Sequence, residues 1–232
     1  MARDRRGNFT FGYSVHDTPA ENMSEVLERA VLRAAIVAKQ ASSVTAWLVT
    51  DTNDQLDSQQ FIDVFGDAGI RNMKADRPGL YRGFEVKHAS LQTLPRTGFN
   101  APVVAAYPSS RLLNAIDDSV SGWTSVIHLP WQPKDGEAWV ETWGPENLLN
   151  PEKSKPYLLI EDEIVRAATL DLISNYTGLS HSSDEKLAKS IYQRLRKNGH
   201  VIVPSAIRAF AIRESGWSTG NATLLAKASG GK

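Results

Sequence analysis

Three side chains able to move a proton or attack a carbon stand at the ends of apolar stretches of strand type. Asp51 follows Val44–Thr50, Ser109 follows Val103–Tyr107, and His128 lies within Thr124–Leu129. If those stretches run parallel and side by side, their finishing ends share one rim, which is where open α/β sheets bind ligands. A carboxylate, a hydroxyl and an imidazole on one rim make a set for hydrolase or transferase chemistry. The imidazole moves the proton, the carboxylate orients it, and the hydroxyl attacks. Asn53, Asp54, Ser110, Arg111 and Trp131 flank the same ends and would line a ligand site.

Each member of the set also has a plainer reading, and the plainer readings weigh more. Asp and Ser just beyond a strand are turn and cap residues. Tyr107-Pro108-Ser109-Ser110-Arg111 lacks the glycines of a nucleophile elbow, and the spacing of Leu112, Leu113 and Ile116 asks for a helix that Ser109 would cap. His128, inside an apolar strand, reads as a buried, hydrogen-bonded side chain. A phosphate group on the amides opening the helix at Ser109–Ser110, beside Arg111, is the one anion site the pattern allows.

Metal and nucleotide chemistry find little support. Asp51, Asp54, Asp57, Asp63 and Asp67 cluster without a basic residue, but the calcium-loop spacing is absent. Asp63 and Asp67 fit the wet face of a helix that buries Phe61, Ile62 and Phe65. No Gly-x-Gly-x-x-Gly follows a strand, and neither a phosphate-binding Gly-x-x-x-x-Gly-Lys nor a His-Glu-x-x-His occurs. No metal and no cofactor is expected. The chain has no cysteine, which removes disulfides, thiolate zinc sites and a cysteine nucleophile and fits a reducing, cytoplasmic setting. The first residues lack the apolar core of a signal peptide. The longest apolar runs fall far short of the roughly 20 residues that span a bilayer, so no membrane partner is expected.

The elements that would position these residues divide the chain in two. Over residues 8–150, strand signals alternate with helix signals. That predicts an α/β domain with a Rossmann-like, mostly parallel or mixed sheet and flanking helices. Residues 8–15 alternate as a strand. Thr18-Pro19-Ala20-Glu21 is a capping box opening a helix whose stripe is Met23, Val26, Leu27, Ala30, Val31, Ala34 and Ala38. A short helix should end near Gly66, with residues 70–74 and 80–88 forming a hairpin around Pro78-Gly79. Asp135 should cap a helix that puts Trp139 and Trp143 on one face.

From residue 158 to 229 only helix signals remain: 161–177, one opened by the box Ser182–Glu185, one opened by Pro204 and closed by Gly216, and one capped by Ser218.

Charge is balanced overall, 26 basic against 26 acidic, but not locally. Beyond residue 180, nine Lys and Arg face Asp184, Glu185 and Glu214. Arg194, Arg196 and Lys197 crowd one helix end, the set a nucleic-acid site would use. Cations are also favoured at a helix C-terminus by its dipole, and acidic stretches elsewhere offer an internal contact or one with a second copy. Nucleic acid is therefore not the favoured partner. The leading expectation is a non-enzymatic module that binds a small molecule or a protein partner, its own copy included. A strand-end hydrolase or transferase is the alternative, and nucleic-acid binding by the basic tail the weaker one.

Overall fold

The computed structural model describes residues 9–10, 23–95, 99–119, 125–132, 134–176, 178–179 and 181–230. The proposed capping box at Thr18–Glu21 lies outside them, as does most of the 8–15 strand.

The chain separates into two compact units, one of α/β character running to residue 137 with residues 145–154, the other helical and comprising 138–144 and 155–230. The α/β unit holds β1 (Phe9–Thr10), α1 (Met23–Gln40), β2 (Thr45–Thr50), α2 (Gln59–Lys74), β3 (Gly79–Tyr81), β4 (Phe84–Ser90), β5 (Val103–Ala106), α3 (Ser110–Asp118), β6 (Val126–Leu129) and β7 (Glu146–Asn147). The sheet order is β3-β4-β2-β5-β6-β1-β7. All neighbours pair in parallel except β3, which is antiparallel to β4. The three strands expected side by side, β2, β5 and β6, are so, with Val49 opposite Ala105 and Ala105 opposite His128.

Alternation along the strands builds two layers. Ala46, Leu48, Val86, Val104, Ala106, Ile127 and Leu129 point into one core with the α1 residues Val26, Leu27, Ala30, Val31 and Ala34 and with Phe61, Phe65, Ile70 and Met73 of α2. The α1 stripe read from the sequence is the stripe buried. On the opposite face, His128 and Leu113 of α3 both close on Gly136. A Cβ there would meet them at 2.8 Å and 2.7 Å.

Two expectations about residues 70–88 need correction. Residues 70–74 are helix, not strand. The first part of α2 does stop at Gly66 (φ 67, ψ 162), but the chain re-enters a helix because Ile70 and Met73, three apart, bury together. The hairpin is β3–β4, and its turn is Arg82-Gly83, both with positive φ as a two-residue hairpin turn requires. Gly79 is needed for another reason: it lies against the Met73 side chain, where a Cβ would not fit.

The helical unit takes α4 (Glu137–Trp143) from residue 138 onward, then α5 (Glu163–Asn175), α6 (Ser182–Lys197), α7 (Pro204–Ser215) and α8 (Thr219–Ala228). Trp139 and Trp143 of α4 are buried. Asp135 does not cap that helix; its carboxylate accepts the Gln132 N–H at 2.8 Å within the preceding turn. Asp162 caps α5, accepting from the Ile164 and Val165 N–H groups. His181, not Ser182, is the residue before α6, and its side chain makes no cap bond. Gly216 ends α7 in the left-handed conformation, and Ser218 caps α8 through the Asn221 N–H.

The interior of this unit is stitched by polar groups. Thr169 and Tyr192 share a hydrogen bond of 3.1 Å, and burial pushes the Tyr192 phenol up to about 12. Arg213, only 7% exposed, donates to the backbone carbonyl oxygens of Thr142 and Leu158 and stacks 4.1 Å over the Tyr157 ring. Among the described residues, no helix is long and apolar enough to cross a membrane.

Candidate functional site

Strand order sets the place for a site. The chain leaves β2 toward β4 on one side and later returns as β5 on the other side of β2. The connections after β2 and β5 therefore diverge, which is the place at the carboxyl ends of the strands where open α/β sheets bind their ligands.

Asp51 and Ser109 meet across that gap. The Ser109 N–H donates to Asp51 Oδ2 at 2.7 Å, and the Ser109 hydroxyl donates to Asp51 Oδ1 at 2.5 Å. The same hydroxyl oxygen accepts the Leu112 N–H at 3.2 Å, so Ser109 also caps α3, as its place before the Leu112/Leu113/Ile116 spacing implies. With its one proton aimed at a carboxylate and a lone pair engaged by the helix, this hydroxyl acts as a clamp. Both carboxylate oxygens of Asp51 serve Ser109, Oδ1 accepting from its hydroxyl and Oδ2 from its N–H.

A file of aromatic rings runs from the core to the rim. Phe61 meets Tyr107 edge to face at 5.9 Å, and Tyr107 meets Trp131 edge to face at 5.2 Å. Trp131 ends the file 48% exposed. Tyr107 is held at φ 53, a conformation that costs an ordinary side chain about 1–2 kcal/mol. Packing on Phe61 and the Tyr107 N–H bond to the Leu129 carbonyl hold it there. Strain of this kind collects where a scaffold over-determines the backbone beside a functional surface.

Asn53 and Asp54 lie exposed on the 3₁₀ turn Asn53–Asp57 after β2. Ser110 and Arg111 lie exposed on the first turn of α3. His128 stands apart from this group. It is fully buried, its ring packed against Gly136 beside Leu113, and burial holds its pKa down at about 3.

The imidazole that does reach the end of β2 is His88, which the sequence reading passed over. Its Nε2 lies 2.8 Å from Thr50 Oγ1. Thr50 donates its only hydroxyl proton to the Thr52 carbonyl at 2.8 Å, so His88 must be the donor and carries its proton on Nε2. Burial lowers the His88 pKa to about 4, against a smaller upward pull from Asp76. The alternation of β4 was the available signal: His88 shares a face with the buried Val86.

The acidic run is dispersed. Asp57 pairs with Lys74 at 2.6 Å, while Asp63 accepts from Ser24 and Gln59, which lowers its pKa. Among the described residues no group of His, Asp and Glu is placed to hold a metal ion. Four cations of the basic tail are engaged within its own unit. Arg213 is buried, Arg208 reaches Thr142 and Thr223, Arg196 donates to the Ser229 carbonyl, and Lys189 pairs with Glu185. Arg194 and Lys197 remain exposed on the last turn of α6.

Residues 162–230 match the model of a family described as a domain of unknown function (DUF1889). That span starts at the cap of α5 and closes just past α8, covering less than a third of the chain. No curated protein and no solved structure matches the sequence.

Proposed function

We propose that the protein is a non-enzymatic ligand-binding module whose α/β unit takes a small molecule in the crevice between the ends of β2 and β5. The observation that carries this is the Asp51–Ser109 clamp at the point where strand order reverses, with Trp131 exposed beside it. A clamped, strained rim is preorganised, which lowers the ordering cost of binding. Trp131 offers a surface for a planar ring, and Arg111 on the first turn of α3 offers a charge for an anionic group. Asn53, Asp54 and Ser110 supply the polar edge. The body is Rossmann-like in this use of its switch point, and the lack of cysteine suits a cytoplasmic setting.

The hydrolase or transferase alternative needs a base for Ser109, and the hydroxyl already donates to Asp51. The nucleic-acid alternative needs a free cationic face, and Arg196 is engaged with Ser229. Neither gains an observation of its own.

The test is a thermal-shift screen of the full chain against nucleotides, sugar phosphates, aromatic acids and metal ions. A ligand present at 100 times its Kd stabilises by about 2.7 kcal/mol. The shift should vanish in Trp131→Ala and shrink in Arg111→Ala, while His128→Gln, at a fully buried side chain, keeps whatever binding its folded fraction allows. A panel without a single shift, or a shift indifferent to both rim variants, overturns the reading.

A further inference from the structure

Exposed apolar side chains gather at one place in the helical unit. Leu159 and Ile164 flank the cap of α5, Val201 and Val203 lie between α6 and α7, and all are between 45% and 71% exposed. A bond of 2.9 Å between Asp162 Oδ2 and His200 Nδ1 ties the two segments together, so each of the four stands within three residues of one contact. A scattered exposed valine or leucine is ordinary. An apolar patch with a polar rim marks an interaction surface.

Local structure fixes the patch. Residues 154–162 and 200–203 belong to neither helix nor strand. Buried Ile160 anchors the first segment, with the Leu158 N–H on the Glu141 carbonyl at 2.8 Å. The second segment is held at both ends. The His200 N–H donates to the Leu195 carbonyl, and the carbonyl of Val203, itself extended (φ −108, ψ 103), accepts the Ile207 N–H at the start of α7. Ile202 is half-buried between the two exposed valines. Side chains branched at Cβ are stiff before they are covered, so covering Ile164, Val201 and Val203 costs little rotamer freedom.

The patch complements itself. Val201-Ile202-Val203 reads the same in both directions, so a two-fold axis beside Ile202 sets Val201 of one copy against Val203 of the second, as an isologous contact requires. Charge follows the same rule. Glu161 precedes α5 and Lys197 ends α6; both are exposed, and among the described residues neither is ion-paired within the chain. They rim the patch from different segments, so a two-fold can set Glu161 of each copy against Lys197 of the other. A partner of one charge sign would match only one of the two. With 26 basic and 26 acidic residues, no net charge holds two copies apart. We infer that this patch is a two-fold interface between two copies of the chain, with Leu159, Ile164, Val201 and Val203 as its core and Glu161 and Lys197 on its rim. Four side chains and a polar rim fit the small end of the interface range, under about 1,200 Å² buried in all, where association is weak and reversible. The inference rests on the helical unit alone and not on the strand-end site.

Sedimentation equilibrium of the full chain, from micromolar to near-millimolar concentration, tests this. A monomer–dimer equilibrium is expected. Val201→Ser combined with Val203→Ser should raise the dimer Kd at least about tenfold, through lost apolar burial. Val201→Ile combined with Val203→Ile should keep the dimer, and guards against a variant that merely fails to fold. Leu80→Ser, at an exposed leucine on β3, should leave association unchanged. Charge reversal supplies the sharpest arm. Glu161→Lys and Lys197→Glu should each associate more weakly alone, and an equimolar mixture of the two should recover the parent's association. Only across a two-fold does each reversed charge meet an opposite one. A chain that stays monomeric throughout overturns the proposal. So does a dimer that the paired serine variant leaves intact, or a mixture no tighter than either charge variant alone. Flotation of the parent, but not of the serine variant, with phosphatidylcholine–phosphatidylglycerol vesicles would assign the patch to a lipid surface and overturn it as well.

Discussion

The two units use polar side chains in opposite ways. In the α/β unit the core between the sheet and α1 and α2 is apolar, and the polar residues of interest stand at strand ends, where Asp51 and Ser109 fasten a rim. In the helical unit polar and charged groups go inside: Arg213 bonds two carbonyls, and Thr169 holds Tyr192. A sheet satisfies its backbone along its ladders, so side chains at its ends are free for a surface. Short helices joined by irregular segments leave carbonyls such as those of Thr142 and Leu158 for side chains to satisfy. A basic residue in the helical unit is therefore a structural part as often as a binding one.

Acid should separate the units most widely. His88 and His128 of the α/β unit are both buried neutral, with pKa values near 4 and 3 against an ordinary 6.5. The unfolded chain takes up their protons first. Stability is full above pH 6.5, falls as pH drops toward 4, and levels off below the folded values. The loss is on the order of 1 kcal/mol per pH unit per histidine. In the helical unit Asp162 acts in the same sense but in a lower window: its pKa is lowered, chiefly by its bond to His200, so its contribution is lost only as pH falls below the ordinary carboxylate value of 3.8. Hydrogen-exchange protection at pH 7 and pH 5 should drop first in β2, β4, β5 and β6. Earlier loss in α5–α8 would break the comparison.

Arg213→Met comes next. It removes the donor for the buried Thr142 carbonyl and the half-buried Leu158 carbonyl, the first costing about 1–3 kcal/mol when left unmatched and the second less, and should destabilise by about 3 kcal/mol in urea titration. Arg213→Lys should recover only part, since an ammonium cannot reproduce the planar fork over Tyr157. The counterpart in the α/β unit is Gly136→Ala. Its φ of 74 and the crowding of a Cβ by His128 and Leu113 should together cost about 2 kcal/mol. The same titration, followed through exchange at β5 and β6, should place that loss in the α/β unit. A variant as stable as the parent would mean that Gly136 has room the packing does not show.

What was readable in the sequence follows the same division. The α1 stripe, the three parallel strands and the helix ends at Gly216 and Ser218 were legible, because burial period and caps are local signals. The Asp51–Ser109 contact was legible only as a shared rim, since the strand order that brings 51 beside 109 is not local. Residues 70–74 misled because Ile70-Arg71-Asn72-Met73-Lys74, with only two apolar residues, is too short to separate a strand from a helix turn, and it is the packing of Met73 against Gly79 that accompanies the helix. Tyr107 at positive φ had no sequence sign at all, as nothing in a tyrosine before a proline asks for it. Charge counting misled most in the tail. The formula weighs Arg213 and Arg194 equally, although one is a core hydrogen-bond donor and the other is exposed.

That pair supplies the smallest expected effect and the sharpest contrast. Arg194 and Lys197 sit exposed on the last turn of α6, where a cation gains about 0.3–1 kcal/mol from the helix dipole at low salt. Replacing both by Gln keeps helix propensity and removes the charge, so stability should change by less than about 1 kcal/mol and less still at high salt. The same double variant probes the weaker functional alternative. If the tail binds nucleic acid through phosphate contacts, affinity of the parent for a DNA duplex should fall steeply with salt and the variant should flatten that slope. The arrangement of the other cations argues for a different outcome. With Arg196 on Ser229, Arg208 on Thr142 and Thr223, and Lys189 on Glu185, the last turn of α6 keeps two exposed charges, and the other exposed lysines, Lys186 and Lys227, lie at the start of α6 and on α8 and not on that turn. No salt-dependent retention of DNA is expected from either protein. A parent that binds with a steep slope would show that the internal bonds of these arginines open readily, and the contrast between the units would fail at that point.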